Sequence, residues 1–274
     1  MTILVAAGLG FLLTLIMLPF VLKLLQEAGA TRSNYRGESI PVGMGLIFVF
    51  VYVVVAFLLV HWIVPHDLLL YLTAIVFFTM LGLLDDLLGS GESRGLKGHF
   101  GALLQGRLTT GALKAIGGGL VALLFAFITL SGRPWWEILT AALLVALAAN
   151  TINLVDLRPG RAIKVFYLWF FVLFGFVGFG YSQMAILLLA PLAGGLLACA
   201  SADLNAKGML GDTGANLMGA ALGMASVWTM AFSTQLAVVV FLLLLHFFTE
   251  KYSLTEIIEK NSFLRYLDNL GRGK

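Results

Sequence analysis

The 274-residue chain is 60% hydrophobic and 11% charged, with one cysteine and a formal net charge of +3. Soluble domains carry about a quarter of their residues as charges, so this composition excludes an ordinary water-soluble globule, and a lone thiol, Cys199, excludes an internal disulfide. Apolar runs long enough to cross a bilayer recur along the whole chain. They are continuous rather than alternating, which predicts an all-α polytopic membrane protein and not a transmembrane barrel.

Taken in order, the runs predict nine transmembrane helices at about 3–22, 42–62, 67–84, 113–131, 136–153, 164–181, 183–201, 213–231 and 234–249. The first has no charged segment before it and no cleavage site after it, so it reads as a span and not a signal peptide. No internal repeat or low-complexity segment is visible, and residues 1–274 read as one integral membrane domain. Sixteen of the 17 Lys and Arg residues fall in alternate connections, and only Arg133 falls on the other side. The basic side is the inner side, which predicts an N-terminus outside and a C-terminus inside. Trp62, Trp135 and Trp136 lie in the opposite loops as interfacial aromatics, and His61 and His66 there read as interfacial residues. After residue 249, apolar positions 254, 257, 258, 264 and 267 predict an amphipathic helix on the inner membrane surface.

Twelve of the 14 acidic residues share the basic side. Asp85 and Asp86 end the third apolar run, with Gly89 and Gly91 as helix stops. Neighbours on a helix point about 100° apart, so the pair converges on one ligand only if the helix ends or bends there; a pair of solvated charges at a helix end is the plainer reading. Asn150, Asn153 and Asp156 are spaced to share one side of a helix. Amides inside an apolar run need polar partners, supplied either by helix packing or by a site. Arg158, Arg161 and Lys164 follow at once. Asp212, in LGDTG, suits the start of the eighth span either as a cap or as part of an anion site. Together, Asp85, Asp86, Asp156 and Asp212 lie at one depth beside a group of cations. Hard oxygen donors suit Mg²⁺ or Mn²⁺, and cations suit phosphates. No Cys/His cluster suggests zinc, no Walker-type loop is present, and no nucleic-acid module is visible.

Four segments in order, IPVGMG at 40–45, GLLDDLLG at 82–89, NTINLVD at 150–156 and AKGMLGDTGAN at 206–216, resemble the polyprenyl-phosphate N-acetylhexosamine-1-phosphate transferase family. The resemblance covers most of the chain. It implies a multi-pass protein of a prokaryotic plasma membrane with its active site facing the cytoplasm, Mg²⁺ as cofactor (Mn²⁺ as the alternative), and a homodimer as an option. The implied reaction moves a sugar-1-phosphate from a UDP-sugar to polyprenyl phosphate and releases UMP. The resemblance makes Asp85, Asp86 and Asp212 catalytic, with Asp85 orienting the lipid phosphate. It makes Asp212 and Asp156 the metal contacts. Asn150 and Asn153 would orient ligand oxygens, and Lys114, Arg158, Arg161 and Lys164 would bind phosphates. The chain departs from the family pattern after Asp156: DLRPGRA stands for D-G-x-D-G-x-A, with Pro159 in place of the second acid. A late histidine-rich loop is matched only by HFFTE at 246–250, and the span that would follow it is not expected. These departures keep open a second reading, a non-catalytic homologue that binds or carries polyprenyl phosphate.

Overall fold

The computed structural model describes residues 2–89, 105–176 and 181–272. Helix α1 (Thr2–Glu27) leads into a hairpin of β1 (Thr31–Ser33) and β2 (Ser39–Pro41), then a single 3₁₀ turn, Met44–Leu46. There follow α2 (Ile47–Leu59), α3 (Pro65–Leu88), α4 (Thr110–Thr129), α5 (Trp135–Val155), α6 (Arg161–Gly175), α7 (Tyr181–Leu204), α8 (Gly211–Thr229) and α9 (Phe232–Thr249). Two short helices close the described chain, α10 (Leu254–Lys260) and α11 (Ser262–Asn269). Local chemistry sets several starts. Pro65 opens α3 at a position where a missing N–H costs nothing, and Thr109, Ser253 and Asn261 cap α4, α10 and α11 with side-chain oxygens.

Each predicted span coincides with a helix, and six helices (α1, α3, α4, α5, α7 and α9) are long and apolar enough to cross a membrane. The other three differ from expectation for identifiable reasons. The second run begins as backbone bonded to another segment, with Met44 N–H donating to Met209 C=O at 3.0 Å, so α2 shrinks to 13 residues. Helix α6 starts earlier than predicted, at Arg161, and has 15 residues. Helix α8 is less apolar because it needs no lipid-facing side: every residue from Thr213 to Val227 is buried. The predicted surface helix is two helices, broken at Asn261, whose side chain caps the second. The helix stop at Gly89 is in place; Gly91, Arg94 and Lys97 lie outside the described residues.

The three helices α3, α5 and α7 pack around α8, and α1 lies along α7. Small residues make this possible. Gly219 and Gly223 of α8 sit against the backbone of Val145, Ala148 and Ala149 on α5, and Gly82 of α3 sits against the backbone of Asp212 and Thr213. Gly45 meets Gly214, and Gly10 meets Pro191. A Cβ at Gly219, Gly82, Gly45 or Gly10 would overlap main-chain atoms, the packing that brings helices together where no hydrophobic effect drives them. The outward surface is apolar instead, with Leu4, Phe57, Leu69, Phe127 and Phe241 exposed. Phe263 and Tyr266 of α11, and Leu270 just after it, are likewise exposed.

Candidate active site

The four sequence segments meet at one end of the bundle. The 40–45 strand and turn pair with 209–210: Met209 N–H donates to Pro41 C=O at 2.8 Å, and Val42 and Met209 form a parallel bridge. Gly43 and Gly211, both at positive φ (91° and 67°), let the two segments turn there.

Lys114, from the first turns of α4, reaches across to both neighbouring segments. Its Nζ donates to Asp85 Oδ2 at 2.9 Å and to Asp212 Oδ2. Asn153, near the end of α5, joins them: in the amide orientation that satisfies both neighbours, Nδ2 donates to Asp212 Oδ1 at 2.6 Å and Oδ1 accepts from Lys114 Nζ at 3.0 Å. The side chains of Lys114, Asp85 and Asp212 are each between 18% and 26% exposed. One ammonium therefore faces two carboxylates, and the cluster keeps a net negative charge that a further cation can offset.

Asp86 points elsewhere. Its Oδ1 accepts the backbone N–H of Asp212 at 3.0 Å, and its Oδ2 accepts the N–H and the hydroxyl of Thr213 at 2.9 and 2.5 Å. Both oxygens are used in capping α8, where a carboxylate also meets the positive end of the helix dipole. Asp86, which the resemblance makes catalytic, is engaged here in holding the Asp212 backbone in place. Arg32 completes this corner, donating to the carbonyls of Asp86 (3.1 and 3.0 Å) and Gly89 (2.6 Å) at the end of α3.

Beside the cluster lies a cavity of about 230 Å³, lined among others by Arg32, Tyr35, Asp86, Asp156, Arg158, Asp203 and Asp212. Asp156 is half-buried. Burial pushes its carboxyl well above the usual carboxylate range, and the charges of Asp203, Asp212 and Asp86 add to the push against that of Arg161. Arg158 lies over the Tyr35 ring, 5.0 Å from its centre, and pairs with Glu259 at 3.4 Å.

Three expected ligand-binding residues are placed otherwise. Arg161 is 5% exposed and forms a two-pronged pair with Asp268, Nε to Oδ1 at 2.8 Å and Nη2 to Oδ2 at 3.0 Å. Lys164 Nζ donates to the carbonyls of Leu267 and Asp268 at 3.0 and 2.7 Å. Neither cation is directed at the Lys114 cluster, because the 254–272 segment supplies the acceptors. Burial alone would raise the Asp268 carboxyl, but the hydrogen bond and charge of Arg161, joined by the charge of Arg272, hold it below the usual range. Asn150 is exposed; one turn of α5 separates it from Asn153, and its side chain has no hydrogen bond among the described residues. Asp203 was not singled out from the sequence. It is 4% exposed, lines the cavity, and accepts the Gly160 N–H at 2.6 Å; a lone acid closing the seventh apolar run was the available signal. His246 donates within its own helix to Leu242 C=O at 2.7 Å.

Among the described residues no group of three or more His, Cys, Asp or Glu side chains is placed to hold a metal by itself. The donor chemistry still fits Mg²⁺, which binds through one or two carboxylates and completes its shell with water and substrate phosphate. Asp156 and Asp212, both lining the cavity, would be those carboxylates.

No family model matches the chain. Two curated proteins do. It is 28% identical over 248 residues to a phospho-N-acetylmuramoyl-pentapeptide-transferase of Thermotoga neapolitana, covering 85% of this chain and 76% of that protein. It is 29% identical over 251 residues to the protein of the same name from Thermotoga petrophila, covering 86% and 77%. Both relatives carry the name of a transferase of the kind that the four motif segments resemble, and Asp85, Asn153 and Asp212 from three of those segments meet at Lys114.

Proposed function

We propose that the protein transfers a sugar-1-phosphate from a UDP-sugar to polyprenyl phosphate at the cytoplasmic face of a bacterial plasma membrane and releases UMP. The observation that carries this reading is Lys114, held between Asp85 and Asp212 with Asn153 alongside. A lysine shared by two acids, at a membrane-helix end and next to a cavity, can exchange a carboxylate for a phosphate oxygen. The resemblance of the four motif segments and the names of the two Thermotoga relatives support a transferase of this kind.

In the proposed reaction an oxygen of the lipid phosphate attacks the sugar-bearing phosphorus of the donor. The bond from that phosphorus to the bridging oxygen breaks, and that oxygen leaves with UMP. Phosphoryl transfer asks a protein mainly for positioning and charge compensation. Asp85 orients the lipid phosphate through Lys114, and Lys114 offsets the charge of the reacting phosphates. Asn153 fixes Asp212. Arg158, on the cavity wall, takes a donor phosphate. Asp212 and Asp156 would hold Mg²⁺, which when bound supplies charge neutralisation on the pyrophosphate. The orientation with nine spans, N-terminus outside and C-terminus inside, belongs to the same proposal, as does a polyprenyl chain lying between helices.

The placement of Arg161 and Lys164 on the 254–272 segment favours the second reading, a binder of polyprenyl phosphate without turnover, since it withdraws two phosphate ligands. One experiment separates the two. Purified protein with undecaprenyl phosphate and Mg²⁺ is offered a panel of UDP-sugars, including UDP-N-acetylmuramoyl-pentapeptide, and UMP is assayed. Release with one donor, lost in Asp85→Asn and Asp212→Asn and on chelation, is the expected result. Binding of polyprenyl phosphate with no UMP from any donor would leave the carrier reading in its place.

A further inference from the structure

The segment after α9 grips the loop that departs most from the family pattern. Arg161 and Asp268, 107 residues apart, form the two-pronged pair, and their side chains are 6% and 10% exposed. Arg272 adds to it from the other side, 3.3 Å from Asp268 Oδ1, and donates to Pro159 C=O at 3.2 and 3.0 Å. Lys164 caps the carbonyls at the end of α11, where a cation also meets the negative end of the helix dipole. On its inner side the same loop is held by Asp203, bonded to Gly160 N–H at 2.6 Å. Residues 157–160 are thus fastened between Asp203 and the 254–272 segment, and the residue that enters this loop is Asp156, on the cavity wall.

Surface ion pairs contribute little. This one differs: it is buried and bidentate, and Arg272 shares its carboxylate. Removing one member leaves a buried guanidinium without its counter-charge, which is far more damaging than loss of an exposed pair. Residues 254–272 thus bond this loop at Arg158, Pro159, Arg161 and Lys164, which ties down the route of the backbone from Asp156 to Arg161.

We propose that the 254–272 segment is a clamp that sets the position of the Asp156 loop, with Asp268 as its positioning residue acting through Arg161 and Arg272. The proposal rests on the reading above only for what the cavity binds; the clamp itself can be tested without turnover. The full chain in lipid nanodiscs is compared as wild type, Asp268→Asn and Asp268→Glu by amide hydrogen exchange. Loss of the buried charge in Asp268→Asn is expected to speed exchange across 157–164 by about tenfold or more, while peptides of α8 (213–227) keep their rates and Asp268→Glu stays close to wild type. Unchanged exchange at 157–164, or an equal acceleration in α8, overturns the clamp. UMP release, measured in parallel, is expected to show a larger rise in donor KM than fall in kcat for Asp268→Asn, a split that general loosening does not produce. Absence of UMP release from wild type would count against the transferase reading alone, because the exchange result stands independently.

Discussion

Asp85 and Asp86 are adjacent acids with different work, and the helix geometry explains why. About 100° separates neighbours on a helix, so one carboxylate turns to Lys114 and the other to the start of α8. The pair itself was legible from sequence; that Asp85 turns to Lys114 and Asp86 to Thr213 was not, because both partners are distant in the chain. The two roles give opposite signatures. Asp86→Ala strands two backbone N–H groups and a hydroxyl, and is expected to cost about 3 kcal/mol of stability, at about 1–3 kcal/mol for a buried polar group left unpaired. Asp85→Asn keeps a hydrogen-bond acceptor for Lys114 and is expected to hold the wild-type thermal midpoint while abolishing UMP release. Thermal unfolding in detergent beside the release assay checks both. Equal midpoints for Asp86→Ala and wild type would remove the capping role. Arg161 teaches the same lesson: a cation next to an acid motif looks like a phosphate ligand in sequence, and only the fold brings Asp268 to it.

At the scale of elements, α8 shows what periodicity can and cannot reveal. The GDTGANLMGAALG stretch announces a helix start and close packing, yet nothing in it states that α3, α5 and α7 will enclose it. Its partners can be identified only once Gly82, Gly219 and Gly223 are seen against neighbouring backbones. A methyl group at Gly82 or Gly219 has main-chain atoms in its way, and flexible side chains cannot relieve that. Gly82→Ala and Gly219→Ala are each expected to destabilise by at least about 1–3 kcal/mol, the usual cost of overpacking. Gly119→Ala, where nothing lies within 4 Å, is the control and should be neutral. The recovered fraction of monodisperse protein on size exclusion, with its thermal midpoint, is the measurement; wild-type behaviour of Gly82→Ala would show that α3 and α8 are free to part. The length of α2 follows a related rule: apolar runs mark where a helix can exist, whereas tertiary hydrogen bonds at 41–45 decide where α2 begins.

For the whole molecule, the distribution of basic residues fixes an expected orientation that can be checked directly. In a Cys199→Ala background, Ser131→Cys should react with a membrane-impermeant maleimide added outside intact cells, and Lys251→Cys should not. Labelling of position 251 from outside would reverse the topology and move the proposed site to the other face. The helical class and the gathering of polar segments at one end were readable in the sequence because both rest on long runs and on motif order. The grip of 254–272 on the Asp156 loop was not, since it joins residues more than a hundred positions apart. The glycine contacts carry a mechanical meaning as well. Side chains can swing aside on the timescale of a rotamer change, but peptide planes in direct contact cannot, so the junction of the 40–45 turn, α3 and α8 behaves as a fixed anvil. Under the proposed reaction, any widening that admits a long lipid tail must occur where helices are separated by side chains, and the reacting phosphates would meet a surface that does not yield.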